Sequence, residues 1–207
     1  ESENIRKEEI DGCAISSVVP ELTIAFKELV DRHLNLAPVI VGNVRRPVIH
    51  INASNPKEVG PDLIANAVGA VALYGAPCII IGFGTATTFS AVSAKGEFEG
   101  VAIAPGILTA AASLFQAGAM LPAVDLHKPE KVIGKNTILS LQSGLIYGFA
   151  GLVEGLVARI QKELGGNAKV VATGGLASLI ADEVTCIDAI EPELTLLGVR
   201  LIYEKNK

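Results

Sequence analysis

The order of apolar runs and chain breaks after residue 77 constrains the fold of this chain more than any other feature. Three short apolar runs, at 78–83, 86–93 and 97–104, are separated by glycine-containing turns, which is typical of consecutive antiparallel strands. Helices and single strands then alternate: helix from 107, helix 137–164, strand 169–172, helix 176–181, strand 186–188 and helix 192–204. The second half therefore reads β-β-β-α-β-α-β-α.

This order, three antiparallel strands followed by two parallel crossovers, is the layout of a ribonuclease-H-like domain. The first half reads β-α-β-α, with strands predicted at 12–19, 38–41 and 47–51 and helices at 21–34 and 61–74. When the halves are laid over each other, residues 14–19 take the place of residues 170–175. The opening β-β-β-α, about 45 residues by average element lengths, has no counterpart in the first half. We predict an α/β protein with a duplicated ribonuclease-H-like fold, divided into an incomplete first domain at 1–76 and a second domain at 77–207.

Composition excludes several classes of function. Half of the residues are hydrophobic (50%) and 19% are charged, which is enough apolar material for a large core. The net charge of −5 provides no basic surplus, so we expect neither a nucleic-acid partner nor a membrane partner. The most apolar stretch, 100–121, contains glycines, a proline and a glutamine, and is better explained as core than as a membrane span.

Cysteine and histidine usage indicates the compartment. Cys13, Cys78 and Cys186 are far apart and form no C-x-x-C, and the three histidines are equally scattered, so we expect no metal site made of these side chains. Unpaired cysteines of this kind indicate a reducing compartment. The charged residues 1–9 do not resemble a signal peptide, and we predict a cytoplasmic protein.

Two glycine turns are candidates for phosphate binding. Gly82 to Thr88 lie between two predicted strands, where glycines let a ligand approach the backbone and threonine hydroxyls add donors. Gly174 and Gly175 form a strand-to-helix turn whose helix could face a nucleotide. Both sequences also fit ordinary tight turns, so the local pattern leaves the alternatives open.

Two helix starts carry polar residues whose role is equally open. Asp62 follows Gly60 and Pro61 at the start of a helix, where a carboxylate is stabilised by the helix dipole and could also act as a general base. Asn136 is a good N-cap, and Thr137 beside it is a ligand candidate only in second place.

Spaced motifs over most of the chain resemble the type III pantothenate kinase family. They are Asn55-Pro56-x-x-Val59-Gly60-x-Asp62, Phe83 to Phe89, Ala102 to Ile107, Ile133 to Thr137, Gln142-Ser143-Gly144, Tyr147 to Val153 and Ala172 to Ala177. The resemblance implies an actin-like ATPase fold in which two ribonuclease-H-like domains close on ATP. It implies transfer of the γ-phosphate of ATP to the primary hydroxyl of pantothenate, the first step of coenzyme A synthesis. It also implies a homodimer, Mg²⁺ on the nucleotide and a monovalent cation, K⁺ or NH₄⁺.

The resemblance also implies roles for particular residues. Asp62 matches the general base, and Gly60, Pro61, Asp62, Leu63 and Thr137 match pantothenate contacts. The ATP and phosphate contacts would be Gly84, Thr85, Thr87, Gly174 and Gly175.

The chain departs from the family pattern at several charged positions. The Asp-x-Gly-Asn-Thr phosphate motif does not occur in it, Leu63 replaces an arginine and Gly82 replaces the aspartate that is a ligand of the cation. Ser90 replaces a second aspartate and Leu197 a glutamate. We therefore expect this chain to be a weak or inactive kinase. The alternative is a non-catalytic paralogue, or an engineered scaffold or oligomerisation protein that keeps the fold.

The segment 108–121 contains no charged residue, and the long helix 137–164 is rich in apolar side chains. Helices of this kind are usually buried, and we predict a homodimer interface formed by 107–121 and 137–164. The alternative is a helix that is wholly internal to one chain.

Overall fold

The computed structural model describes residues 6–117, 122 and 124–207. Its helices and strands, in chain order, are β1 (Ala14–Ile15), α1 (Pro20–Leu34), β2 (Val39–Ile40), β3 (His50–Ile51), α2 (Pro61–Tyr74), β4 (Cys78–Phe83), β5 (Ala86–Val92), β6 (Glu97–Pro105), α3 (Ile107–Ala117), α4 (Thr137–Glu163), β7 (Lys169–Thr173), α5 (Ala177–Ala181), β8 (Ala189–Ile190) and α6 (Leu194–Asn206). Short 3-10 turns lie at Lys7–Glu9 and Pro56–Glu58.

The main sheet has six strands in the order β3-β6-β5-β4-β7-β8. Strands β4, β5 and β6 are antiparallel neighbours, whereas β7 pairs parallel with β4 and β8 pairs parallel with β7. Three antiparallel strands followed by parallel crossovers confirm the predicted α/β class and the ribonuclease-H-like order of the second half.

The sheet is covered on both faces, which explains why β4 is apolar along its whole length. Alternate residues point to opposite sides: Ile79 and Ile81 belong to one core cluster, with α4, while Cys78 and Ile80 belong to the other, with α2. The central strand therefore joins both halves of the hydrophobic core.

Helices α2 and α6 pack against each other at glycines. A Cβ on Gly198 of α6 would collide with the carbonyl oxygen of Ala65, and one on Gly69 of α2 would lie 2.8 Å from the carbonyl oxygen of Leu194. These close approaches hold the start of α6 against the middle of α2, the helix whose first turn carries the candidate base.

The first half differs from the prediction in the placement of β3. Strands β1 and β2 form a separate parallel pair, with Ala14 opposite Val39. Strand β3 pairs with β6 instead, with His50 opposite Glu97, so it extends the six-stranded sheet. Strand β3 therefore comes from the predicted first domain but belongs to the six-stranded sheet of the second half. The division into two domains at residue 76 stays a prediction.

Helix α4 is long and apolar enough, by length and composition alone, to cross a membrane. One face of it, however, packs into the core through Leu145, Ile146, Phe149, Val153 and Val157. A central core helix has this same composition. Of the predicted interface segment, residues 118–121 lie outside the described residues.

Candidate active site

The first turn of α2 presents Asp62 to solvent. Gly60 is the N-cap residue and Pro61 begins the helix, at the position where the missing amide of proline costs no hydrogen bond. A Cβ on Gly60 would lie 2.5 Å from Oδ1 of Asp62, so the carboxylate folds back over this glycine. The helix dipole stabilises the negative charge at this place.

The turn between β4 and β5 is fixed by hydrogen bonds from the start of α3. The carbonyl oxygen of Thr85 accepts from the amide of Gly106 (3.0 Å) and from Oγ1 of Thr109 (2.8 Å). The amide of Gly84 donates to the carbonyl oxygen of Ala86 (3.0 Å), which closes the turn. Because this amide is already used, Gly84 offers no free N–H to an anion.

Gly174 is required by packing at the end of β7. Its φ of +99° lies in the left-handed region, and a Cβ there would collide with the carbonyl oxygen of Phe83. Its own carbonyl oxygen accepts from the amide of Ala177 (3.1 Å) at the start of α5. The geometry of a tight turn is therefore enough to explain why glycine stands at position 174. The same turn also lines a cleft that contains Asp62.

A cleft of about 460 Å³ brings five of the predicted positions together, namely Asp62, Gly82, Gly84, Thr85 and Gly174. Phe83, Ala86 and Thr88 of the candidate turn and Thr173 before Gly174 also line this cleft. The sequence analysis did not single out the remaining lining residues, which are Val18, Asn66, Pro192 and Thr195. A larger cleft of about 800 Å³ lies between the β5–β6 hairpin and the end of α4, but it contains none of the predicted site residues.

Threonines dominate the polar lining of this cleft. Thr85 and Thr88 come from the turn and β5, Thr173 from the end of β7 and Thr195 from the start of α6. Oγ1 of Thr195 donates to Oδ1 of Asn66 (2.7 Å), and Asn66 lies one helical turn after Asp62 on the same face of α2. The hydroxyl groups of Thr85, Thr88 and Thr173 could donate hydrogen bonds to phosphate oxygens. Among the described residues that line the cleft, Asp62 is the only one with an ionisable side chain.

Several predicted contacts do not line the cleft. Leu63 is buried in the core cluster around α2, because consecutive helix residues point in different directions and its side chain is turned to the core rather than to the cleft. Thr87 is fully buried and donates to the carbonyl oxygen of Pro105 (3.2 Å), so its neighbour Thr88 faces the cleft instead. Gly175 also lies outside the lining.

Gly60, Pro61 and Thr137 are also absent from the lining. Gly60 and Pro61 do not contact the cleft, but they form the start of α2 and so determine where Asp62 lies. Thr137 begins α4, where Oδ1 of Asn136 accepts from the amide of Leu139 (2.9 Å). The capping role predicted for Asn136 is thereby confirmed.

The position predicted as the family's cation ligand has no side chain here. Among the described residues no group of three or more His, Cys, Asp or Glu side chains could hold a metal ion. A Cβ on Gly82 would lie 2.7 Å from Oγ1 of Thr88, so the threonine hydroxyl occupies the space into which an aspartate would extend. The site therefore lacks the carboxylate that a cation at this position needs.

Comparison with known proteins identifies the family. The family described as type III pantothenate kinase matches residues 2–159. A type III pantothenate kinase of Moorella thermoacetica is 50% identical over 198 residues, which cover 96% of this chain and 78% of the relative. One of Roseiflexus sp. strain RS-1 is 53% identical over 199 residues, with the same coverage of 96% and 78%.

A solved structure supports the fold alone. A Campylobacter jejuni protein assigned to the Baf family of transcriptional activators superposes with a TM-score of 0.63 at 18% identity, covering 97% of this chain and 86% of its own. The match of sequence over nearly the whole chain, together with the ribonuclease-H-like order of the sheet, leads to one conclusion. The chain belongs to the type III pantothenate kinase family.

Proposed function

We propose that this chain binds pantothenate and ATP in the cleft lined by Asp62 and Thr85. It would transfer the γ-phosphate of ATP to the primary hydroxyl of pantothenate, which is the first step of coenzyme A synthesis. Membership of the family supports the reaction. The observation that carries the proposal is that Asp62 lines the same cleft as the Gly84-Thr85 turn and the end of β7.

In this proposal Asp62 is the general base. Phosphoryl transfer depends on positioning and on neutralisation of charge rather than on covalent help from the protein. A carboxylate that lies beside the substrate hydroxyl can accept its proton as the γ-phosphate is transferred. Thr85, Thr88 and Thr173 would hold phosphate oxygens through their hydroxyl groups on the opposite wall.

The nucleotide must bring its own counter-charge. Since Asp62 is the only ionisable residue in the described part of the lining, no lysine or arginine there can neutralise the phosphates. Mg²⁺ bound to ATP would supply this charge at the β- and γ-phosphates. The residues present do not fit the monovalent cation, because Gly82 provides no carboxylate, and we assign K⁺ or NH₄⁺ no role in this chain.

We propose that turnover is slow for the same reason. Removal of one group that stabilises charge in a transition state typically lowers the rate about a hundredfold or more. The leucine at position 63 and the glycine at position 82 stand where the family pattern has an arginine and an aspartate. The second candidate function, a non-catalytic scaffold that keeps the kinase fold, is favoured by the same two positions.

A homodimer is part of the proposal. Exposed apolar side chains lie along the end of β6, α3 and the start of α4, namely Ile103, Leu108, Phe115, Ile138 and Leu139. Leu108 and Phe115 are 59% and 52% exposed, an unusual amount of apolar surface for one helix of a monomer. We further propose a cytoplasmic protein, for which the free thiols of Cys13, Cys78 and Cys186 are the supporting observation.

The variant Asp62→Asn separates the kinase from the scaffold. A general base predicts a loss of turnover of roughly a hundredfold or more with little change in stability, because asparagine also suits a helix N-terminus. The measurement is ADP release from ATP and Mg²⁺ in the presence and absence of pantothenate. Glu154→Gln, at an exposed position of α4 outside this cleft, is the matched control. Pantothenate-dependent turnover that is the same in Asp62→Asn and the control would refute the role of Asp62, and none in the unsubstituted chain would favour the scaffold.

A further inference from the structure

An apolar cavity of about 320 Å³ lies between α2, α6 and the residues that precede β3, and it shares no lining residue with the cleft of Asp62. Its volume is at the lower end of the range of about 300–1,000 Å³ that is usual for small-molecule sites. The cavity therefore has the size for a small ligand. Its lining consists of Val48, Ile49, Val68, Val71, Ala72, Gly96, Leu201 and Lys205.

Two helix faces form the walls of this cavity. Val68, Val71 and Ala72 are three and four residues apart on α2, and Leu201 and Lys205 are four apart on α6, so each set lies on one face of its helix. Val68 is 4% exposed, whereas Ala72 and Lys205 are exposed. The cavity is thus apolar at its inner end and opens to solvent beside a lysine.

Lys205 is the one charged residue of the lining, and its ammonium group is available to a ligand. Among residues 6–117, 122 and 124–207 no carboxylate forms an ion pair with it, and the neighbouring Glu204 pairs with Arg200 instead (3.7 Å). A second cation lies close by, because Asn206 accepts from the amide of Arg46 (2.9 Å) and donates to its carbonyl oxygen (3.0 Å). The mouth of the cavity therefore carries positive charge.

We propose that this cavity binds a free aliphatic carboxylate, whose hydrocarbon chain enters between α2 and α6 and whose head group pairs with Lys205. The lining contains no hydroxyl, amide or carboxylate side chain that could bind a sugar, a base or a cation inside it. A polar ligand would lose its hydrogen bonds to water there without replacement. At ~30 Å³ for each water-sized group the cavity holds about ten, which is room for a chain of roughly eight carbons.

The chain and the head group would contribute differently to binding. Each methylene that leaves water raises the affinity roughly fourfold, so the length of the chain sets most of the affinity. An exposed ion pair adds up to about fivefold, so Lys205 mainly selects an anion over a neutral or cationic amphiphile. The stem of the lysine can lie along the apolar wall while its ammonium group stays in water. The proposal does not depend on the proposed kinase function.

The test is a titration of the 207 residues, with valine and leucine methyl groups labelled with ¹³C, by hexanoate and octanoate. We expect saturable shifts of the methyl signals of Val68, Val71 and Leu201, and octanoate should bind at least about tenfold more tightly than hexanoate. Octylamine and 1-octanol are titrated in the same way, and both should bind more weakly than octanoate.

Two substitutions locate the ligand. Ala72→Trp places a large side chain at the mouth and should weaken octanoate binding at least about tenfold. Lys205→Met keeps most of the stem and should weaken octanoate about three- to fivefold while 1-octanol is unaffected. The matched controls are Ala25→Trp on α1 and Lys162→Met on α4, which are exposed positions outside the cavity. Circular dichroism checks that each variant is folded.

Three results would overturn the proposal. The first is the absence of saturable shifts at the cavity methyl groups with octanoate up to about 10 mM. The second is octylamine binding as tight as that of octanoate, or octanoate binding that Ala72→Trp leaves unchanged. The third is cosedimentation with phosphatidylglycerol vesicles that Lys205→Met abolishes, which would assign this face to a membrane surface and not to a free carboxylate.

Discussion

Gly198→Ala is the substitution whose effect can be worked out most directly from the structure. At an exposed position in the middle of a helix, the change from glycine to alanine stabilises the protein by roughly 0.5–1 kcal/mol, because alanine loses less backbone entropy than glycine on folding. At position 198 the added methyl would overlap the carbonyl oxygen of Ala65 in α2. That atom belongs to the backbone of a buried helix and cannot rotate away, so α6 must shift.

Overpacking of this severity costs about 3 kcal/mol, at the upper end of the usual range of 1–3 kcal/mol for added methylenes. With about 1 kcal/mol regained from helix propensity, we expect Gly198→Ala to lower the free energy of unfolding by about 2 kcal/mol. Gly151→Ala in α4 is the control, because a Cβ there meets nothing within 4 Å, and it should be stabilising by roughly 0.5–1 kcal/mol. Urea denaturation at one protein concentration measures both variants. A Gly198→Ala protein as stable as Gly151→Ala would refute the packing argument.

Three further predictions concern assembly, cysteine chemistry and the lost charges. Sedimentation velocity of the unsubstituted chain at micromolar concentration should show a dimer. The double variant Leu108→Glu with Phe115→Glu should sediment as a folded monomer. If the unsubstituted chain is itself a monomer, the proposed interface is excluded. Burial raises the pKa of the Cys78 thiol to about 12, so this thiol should resist alkylation at pH 8 until urea unfolds the chain, and rapid native labelling at Cys78, located by mass spectrometry, would contradict its burial. Because the pKa is higher in the folded state, the contribution of Cys78 to stability is complete below the ordinary value of 9.0 and is lost as the pH rises towards 12. Leu63→Arg with Gly82→Asp should not raise the turnover of this chain, since the first change buries a cation in the core and the second places a side chain against Thr88. A tenfold gain in pantothenate-dependent ADP release would show that the loss of those two charges was what limited turnover.

Elements with strong local signals could be predicted nearly to the residue. Helix α2 begins at Pro61 and strand β4 covers 78–83, both as predicted, because proline, glycine and a continuous apolar run mark their ends. The last strand was wrongly predicted at 186–188, and β8 is Ala189–Ile190. There the carboxylate of Asp188 accepts from the amide of Val170 (2.7 Å), a tertiary contact with no local signature.

The partner of β3 could not be predicted for a related reason. The sequence of this strand gives its extended conformation, but which edge it joins depends on contacts with residues almost fifty positions away, such as His50 opposite Glu97. Its two residues are also too few to establish an alternation that would fix one face.

Within the site, sequence motifs located the turns but not the direction of each side chain. The motif at Thr85 to Thr88 gives a choice of hydroxyls, and only the pleat of β5 decides that Thr88 faces the cleft while Thr87 is buried. Asn66 and Thr195 were missed because they meet across two helices that are far apart in sequence. The one signal available for Asn66 was its spacing of four residues from Asp62.

The hydrogen bonds from Gly106 and Thr109 to Thr85 connect the cleft to the outer surface of the molecule. Helix α3 exposes Leu108 on the surface and, in the next residue, holds the carbonyl of the turn that lines the cleft. Displacement of α3 along its axis would therefore pull the turn with it and change the width of the cleft. A partner that covered this helix, as the proposed homodimer would, would constrain the position of the Gly84-Thr85 turn, and its removal should loosen that wall of the cleft while leaving Asp62 in place.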